Sequence, residues 1–286
     1  LGGVTYALTR AGDVGFAGTV LAAGGAGLAC LVAFVVVEAR SSHPLVPLGL
    51  FRNAQFSAAN AVTFLVYAAL GVIFVLLVLQ LQVAAGWSPL AAGSAMLPVT
   101  VLMLLFSSRA GALAQRIGPR LPMTVGPLLS AGGVLLMSRV GAGASYLIDV
   151  LPAVLLFGAG LALMVAPLTA TVLDSAADRH AGVASGVNNA VARTAGLIAV
   201  AVIPLAAGIA GADYTDPAAF GAGFERAMLI SAGLLLAGAA LAVTFVRRPL
   251  AAEGLPAAGE EHRLHIEACV HCGVSGPQLH PADHDH

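Results

Sequence analysis

Cys269 and Cys272 stand two residues apart, with His262, His265, His280, His284 and His286 around them. Thiolate and imidazole in this combination are the donors of a tetrahedral zinc site. The segment is rich in Pro, Gly and Ala, and no histidine pair in it sits on a periodic element, so it reads as disordered. Cys269 and Cys272 are therefore only weak metal candidates, and no metal and no cofactor is expected. A second set of polar residues interrupts apolar sequence. Asn188, Asn189 and Arg193 fall inside one apolar run, and Asn60, Thr63 and Tyr67 recur at i, i+3 and i+7 on one helical face of another. An arginine at mid-membrane costs roughly 2.5–3.5 kcal/mol on insertion scales, so such a residue faces the protein interior or snorkels to the interface. Arg193 thus has two readings, a functional charge or an interfacial anchor. The asparagines read as hydrogen-bonding glue between helices. Gly182 and Gly186 form a GxxxG pair that favours close helix contact. There is no His-Glu-x-x-His, nucleophile elbow or phosphate-cradling glycine loop, so the chain is not expected to be an enzyme.

The elements that must position these residues are membrane helices. Of the 286 residues 59% are hydrophobic and 9% charged, against about 25% charged in a soluble domain, and mean hydropathy is +0.93. Lipid is the natural solvent of such a chain. A net charge of −1 excludes a basic nucleic-acid face. Apolar runs of membrane length lie near 17–37, 58–80, 90–108, 121–139, 146–172, 183–208 and 225–246. Residues 1–8 look like the end of a further helix, as if an N-terminal part were missing. Cys30, inside the first run, reads as a small buried residue. Prolines 98, 127, 152, 167 and 204 fall inside runs, where lipid-embedded neighbours tolerate them. Counting loops alternately, Arg40, Arg52, Arg109, Arg116, Arg120, Arg179, Arg247 and Arg248 share one side and Arg10, Arg139 and Arg226 the other. The positive-inside rule makes the first side, and the tail after Arg247, cytoplasmic. The organisation expected is a helix pair over 1–37, a cytoplasmic linker over 38–57, a six-helix bundle over 58–246 and a cytoplasmic tail over 247–286.

The stretch from Gln80 to Arg120 is the most characteristic. It runs Gln80-Leu-Gln82, Gly86-Trp-Ser-Pro-Leu-Ala-Ala-Gly93, Leu97-Pro98 and Gly111-Ala-Leu-Ala-Gln-Arg-Ile-Gly-Pro-Arg120. With Pro44-Leu-Val-Pro-Leu-Gly-Leu-Phe-Arg52 before it and His180 to Arg193 after it, this order resembles the C-terminal half of a major facilitator superfamily transporter. It is most similar to the fourteen-span drug:proton antiporters of the EmrB/QacA type.

The resemblance implies an all-α integral membrane protein. Its C-terminal six-helix bundle is preceded by a central helix pair whose first member is truncated. It implies proton-coupled efflux of drugs or small amphiphilic metabolites across the plasma membrane by alternating access. The partners are then a small-molecule substrate, protons, the lipid bilayer and the missing N-terminal bundle of the same protein. It also implies that Asn60, Thr63 and Tyr67, with Phe157 and Met164, border the substrate cavity; the other readings are hydrogen bonding between helices for the polar face and contact with core or lipid for Phe157 and Met164. The loop with Gly111, Arg116, Gly118 and Arg120 becomes a gate, its arginines reaching a helix C-terminus and its glycines allowing a tight turn. Gln115 replaces the acid of the family's loop motif, which puts a latch role of this copy in doubt. The coupling acids of the family lie mainly in the other bundle, and no carboxylate falls at the middle of a run here. A membrane sensor or interaction protein on the same scaffold and a facilitator-type importer are the alternatives. The sensor predicts that the Asn60–Thr63–Tyr67 face is packed shut.

Overall fold

The computed structural model of the protein describes residues 2–14, 17–41, 47–176 and 180–246. Two compact units divide the chain, Leu1–Arg248 and Pro249–His286. The second lies outside the described residues, and with it the Cys269–Cys272 motif, the tail histidines and the expected cytoplasmic tail. The first is built of α-helices: α1 (Gly2–Val14), α2 (Gly18–Arg40), α3 (Ala54–Val83), α4 (Pro89–Ser94), α5 (Leu97–Ile117), α6 (Arg120–Met137), α7 (Leu151–Asp174), α8 (Ala181–Ala206) and α9 (Pro217–Phe245). Short α4 leads into α5 through a break at 95–96, and a π-turn over Tyr146–Val150 leads into α7. Counting each of these as one span, seven helices among the described residues are long and apolar enough to cross a membrane.

Local chemistry sets the helix ends. Asn53 Oδ1 accepts from the amides of Gln55 and Phe56 at 2.9 and 3.3 Å and caps α3. Asp216 Oδ1 does the same for Ala218 and Ala219 at 2.8 and 3.2 Å, with Pro217 at the first helical position of α9. Ser88 caps α4 ahead of Pro89. Gly118, at φ +87°, ends α5 in a conformation that other residues rarely adopt. Pro98 and Pro152 stand near the starts of α5 and α7, and only Pro127, Pro167 and Pro204 lie inside helices. Proline is well tolerated in a first turn, whose N–H groups have no intrahelical partner anyway.

Two side-chain bonds tie helix ends into one layer. Asn53 Nδ2, at the start of α3, donates to the carbonyl of Ser175 just after α7 at 2.8 Å. Arg120, at the start of α6, donates through Nη2 to the carbonyl of Val243 in the last turn of α9. At the opposite ends Gln80 Nε2 of α3 donates to the Val140 carbonyl after α6 at 2.7 Å. The spans therefore alternate in direction.

Helix α6 packs on α7 and α9, α3 on α8 and α9, and α5 on α7. Glycines set how closely they approach. A Cβ on Gly133 of α6 would stand 2.5 Å from the Phe157 amide nitrogen of α7, and one on Gly160 of α7 would stand 2.4 Å from the Gly126 carbonyl oxygen of α6. A Cβ on Gly71 of α3 would lie 2.9 Å from Gly196 Cα of α8. Small residues at such crossings are the general device of lipid-embedded bundles, where no hydrophobic drive exists between helices. Helix α1 packs on α2 and also on α8.

Several expectations need correction. Gly182 and Gly186 have none of the described residues within 4 Å of where a Cβ would stand, so the GxxxG pair makes no close contact among them. Cys30 is exposed, because α2 is covered mainly by α1. Gly111 and Arg109 lie within α5, not in a loop, because the helix continues to Ile117. The last helix starts at Pro217, eight residues before the expected 225, because Asp216 and Pro217 cap it there. Glu225 and Arg226 consequently sit about 12 Å inside α9.

Candidate functional site

Most of the polar residues that α8 carries fall on one stripe. Ser185, Asn188, Asn189, Ala192 and Arg193 follow the i, i+3, i+4, i+7, i+8 rule of a helical face. With Tyr67 of α3 and Thr169 of α7 they line a cleft of about 540 Å³. Arg193 is twelve residues beyond Ala181 in the 26-residue α8, which places it about 18 Å along a helix of about 39 Å. Tyr67 is thirteen residues into α3, at about 20 Å. Ser185 and Thr169 lie only about 6–8 Å from the ends of α8 and α7. Since the Asn53–Ser175 bond puts the start of α3 and the end of α7 on one side, the cleft descends from that side to mid-span. Its deep end is formed by Arg193 and Tyr67.

Each side chain is held differently. Thr63 is wholly buried, and its hydroxyl proton is shared between Ala59 O at 3.0 Å and Asn188 Oδ1 at 2.8 Å. Arg193 is exposed, and its Nε donates to Asn189 Oδ1 one turn earlier at 3.2 Å. A guanidinium at this depth is too costly to face hydrocarbon, so the polar cleft is the environment that tolerates it. Thr169 returns its hydroxyl to Val165 O at 3.1 Å. Tyr67 is half-buried with its ring on the cleft wall.

Asn188, Asn189, Arg193 and Tyr67 therefore come together, with Thr63 directly behind Asn188. Asn60 does not join them. It is buried, its Nδ2 donates to Phe56 O at 2.9 Å, and its Oδ1 has no hydrogen-bond partner among the described residues. Phe157 and Met164 also stand away from the cleft. Both are buried in the core where α7 meets α6, Phe157 edge-on to Phe74 at 6.3 Å and Met164 against Gly126. The expectation that these two side chains border an open cavity is corrected, because the glycine crossings pull α6 over that face of α7. Sequence reading passed over Ser185 and Thr169. The i+3/i+4 spacing to Asn188 and Asn189 marks Ser185, whereas nothing in the apolar sequence of α7 marks Thr169.

At the loop, Gly118 makes the turn and Gly111 does not. Arg116 is exposed and makes no hydrogen bond among the described residues, while Arg120 meets the α9 C-terminus. A cation there satisfies a carbonyl that the helix leaves open and meets the negative end of its dipole. A second, apolar hollow of about 770 Å³ lies at the other end, lined among others by Trp87, Leu97, Pro98, Val101, Tyr146 and Leu155. Trp87 and Tyr146, both in its lining, meet edge-on at 6.2 Å. Its lining carries no charge.

Comparison with known proteins agrees with this architecture. The family pattern of the Major Facilitator Superfamily matches residues 2–201. The lincomycin resistance protein of Streptomyces lincolnensis is 34% identical over 173 residues, 60% of this chain and 36% of that protein. The tetracenomycin C resistance and export protein of Streptomyces glaucescens is 33% identical, over 59% of this chain and 31% of its own length. The puromycin resistance protein of Streptomyces alboniger is 33% identical over 229 residues, 76% of this chain and 45% of its own. The chain thus spans less than half the length of each of these relatives.

Proposed function

The chain belongs to the Major Facilitator Superfamily, and from that premise we propose that the protein is a multi-pass efflux transporter. It exports drugs or small amphiphilic metabolites, in exchange for protons, as a member of the fourteen-span drug:proton antiporter group. The observation that carries this reading is the polar cleft of Tyr67, Thr169, Ser185, Asn188, Asn189 and Arg193, reaching mid-span inside an otherwise apolar bundle. Transporters of alternating-access type bind near the midplane between two bundles that rock against each other. Here α3, α7 and α8 form one wall of the site. A second bundle, as in a protein of the relatives' length, forms the other wall and carries the acids that move protons. The names of the relatives, resistance and export proteins, support the direction of transport. Of the Asn60–Thr63–Tyr67 face, Asn60 and Thr63 are buried, as a sensor would have them; what supports transport is the cleft that stays open beside them at Tyr67 and Arg193.

The side with the arginine-rich loops is the cytoplasmic one, and the tail after α9 lies there too. The gate proposed for that side is the pair Arg120 and Val243. It joins the start of α6 to the end of α9, directly after the Gly118 turn that follows Arg116 in the last turn of α5.

An efflux assay tests the proposal. The complete gene is expressed in a pump-deficient host, and accumulation of a panel of antibiotics and dyes is followed. Export is expected to lower accumulation and to stop when a protonophore collapses the gradient. Accumulation equal with and without the gradient refutes proton coupling, and accumulation unaffected by expression refutes efflux.

A further inference from the structure

The deep end of the cleft holds a positive charge that the described residues leave unbalanced. Arg193 lines the cleft at the middle of α8, and the bond from its Nε to Asn189 Oδ1 is the one hydrogen bond its guanidinium makes among the described residues. A guanidinium carries five N–H donors in a rigid fork that matches a carboxylate in bidentate geometry. No carboxylate lines the cleft. Helix α3, which packs against α8, contains no acidic residue. The acid of α7 itself is Asp174, its last residue, and Asp149 belongs to the π-turn at its other end. On α9 the acid is Glu225, two turns from the end opposite the cleft mouth. The cavity that α1 shares with α8 lies at Val200 to Leu205, about two turns beyond Arg193, and no carboxylate lines it. The acceptor of Asn189 is already engaged by Arg193 itself, so open N–H donors are what Arg193 presents to the cleft. Tyr67 of α3 supplies the aromatic side chain of the same cleft.

Building on the transporter reading above, we infer that Arg193 and Tyr67 form a subsite for the carboxylate of an aromatic acid. Acidic amphiphiles are then the preferred substrate class. The carboxylate supplies the acceptors that the fork lacks, and the aromatic body lies along the Tyr67 ring. Asn189 is a positioning residue that orients the guanidinium from one turn away.

The test uses the complete gene product, purified in lipid nanodiscs, and three probes of one shape: 2-naphthoate, 2-naphthamide and 2-naphthylmethylamine. Binding is measured by calorimetry for the wild type, Arg193→Gln and Arg193→Lys. Naphthoate is expected to bind the wild type more tightly than the other two and to lose roughly tenfold or more in Arg193→Gln, as befits a charge-assisted hydrogen bond. Arg193→Lys restores part of the loss. The amide, whose carbonyl is the weaker acceptor, loses less than naphthoate in Arg193→Gln, and the amine, an ammonium that the guanidinium repels, binds that variant at least as tightly as the wild type, which also shows that the variant is folded. Equal losses for all three probes overturn the inference, because Arg193 then pairs with another part of the protein. Naphthoate binding that is unchanged in Arg193→Gln, or absent from the wild type, overturns it as well. The efflux assay separates the two levels, since export of neutral and cationic compounds without any preference for acids leaves the transporter reading intact.

Discussion

Thr63 of α3 and Asn188 of α8 meet at 2.8 Å, Oγ1 to Oδ1, directly behind the wall of the polar cleft. The contact joins the helix that crosses the bundle core to the helix that carries Arg193. Of the two readings of Thr63, meeting a solute or bonding between helices, the contact is the second. Hydrogen bonds of this kind between membrane helices contribute about 0.6 kcal/mol on average and up to about 1.7. Thr63→Val keeps the shape and removes the hydroxyl. It is expected to lower thermal stability in detergent by an amount of that order, with Thr63→Ser retaining most of it. A valine variant as stable as the wild type would mean that the contact carries no weight.

The Arg120 guanidinium meets the α9 carboxyl end, and Arg116 four residues earlier meets nothing described. A cation at a helix C-terminus contributes roughly 0.3–1 kcal/mol. Arg120→Ala is expected to lower both stability and transport rate more than Arg116→Ala, with both variants correctly inserted. Equal effects would reduce the two arginines to markers of topology.

Glycine substitutions separate the two kinds of helix crossing. Gly133→Ala forces a methyl group to within 2.5 Å of the Phe157 backbone, whereas Gly186→Ala meets none of the described residues within 4 Å. Overpacking of this sort costs about 1–3 kcal/mol. Alanine at 186 is neutral or mildly stabilising, since alanine is the better helix former by about 1 kcal/mol. Thermal melts of the two variants are expected to differ accordingly, and similar melting temperatures would contradict the α6–α7 crossing described here.

Arg193→Ala is expected to impair efflux strongly at unchanged expression, while Arg263→Ala in the tail leaves it unchanged. The comparison is read as accumulation of a transported carboxylate-bearing compound in cells expressing each variant at matched level. Equal effects would make Arg193 an anchor of α8 and not part of the site.

Lipid imposes a coarse rule that makes the architecture legible from composition. About 20 apolar residues must be helical and must span, so the seven runs were legible without any partner. Their inner boundaries were less so. Pro98 and Pro152 read as interior to a run, yet each stands near the start of a helix that follows a break or a π-turn. Glu225 and Arg226 read as marking the edge of the last span, yet the cap at Asp216 carries the helix two turns further out. Charge alone does not end a helix when a better cap lies upstream.

The site was half legible. Arg193, Asn188 and Asn189 stood out because polar residues in an apolar run are costly and therefore conspicuous. Phe157 and Met164 were misplaced, since an apolar side chain looks the same whether it faces lipid, core or cavity. The sequence by itself determined that this is a polytopic helical protein, where its spans lie, and which helix carries a mid-span charge, because each follows from the transfer free energy of residues taken along one segment. The tertiary structure alone decided which helices cross closely, at Gly126, Gly133 and Gly160 and not at Gly182 and Gly186. It also decided that Tyr67 and Thr169 join the α8 stripe while Asn60 is shut away. Those outcomes depend on the rotation of each helix about its own axis, which packing between segments sets and hydropathy along one segment does not encode.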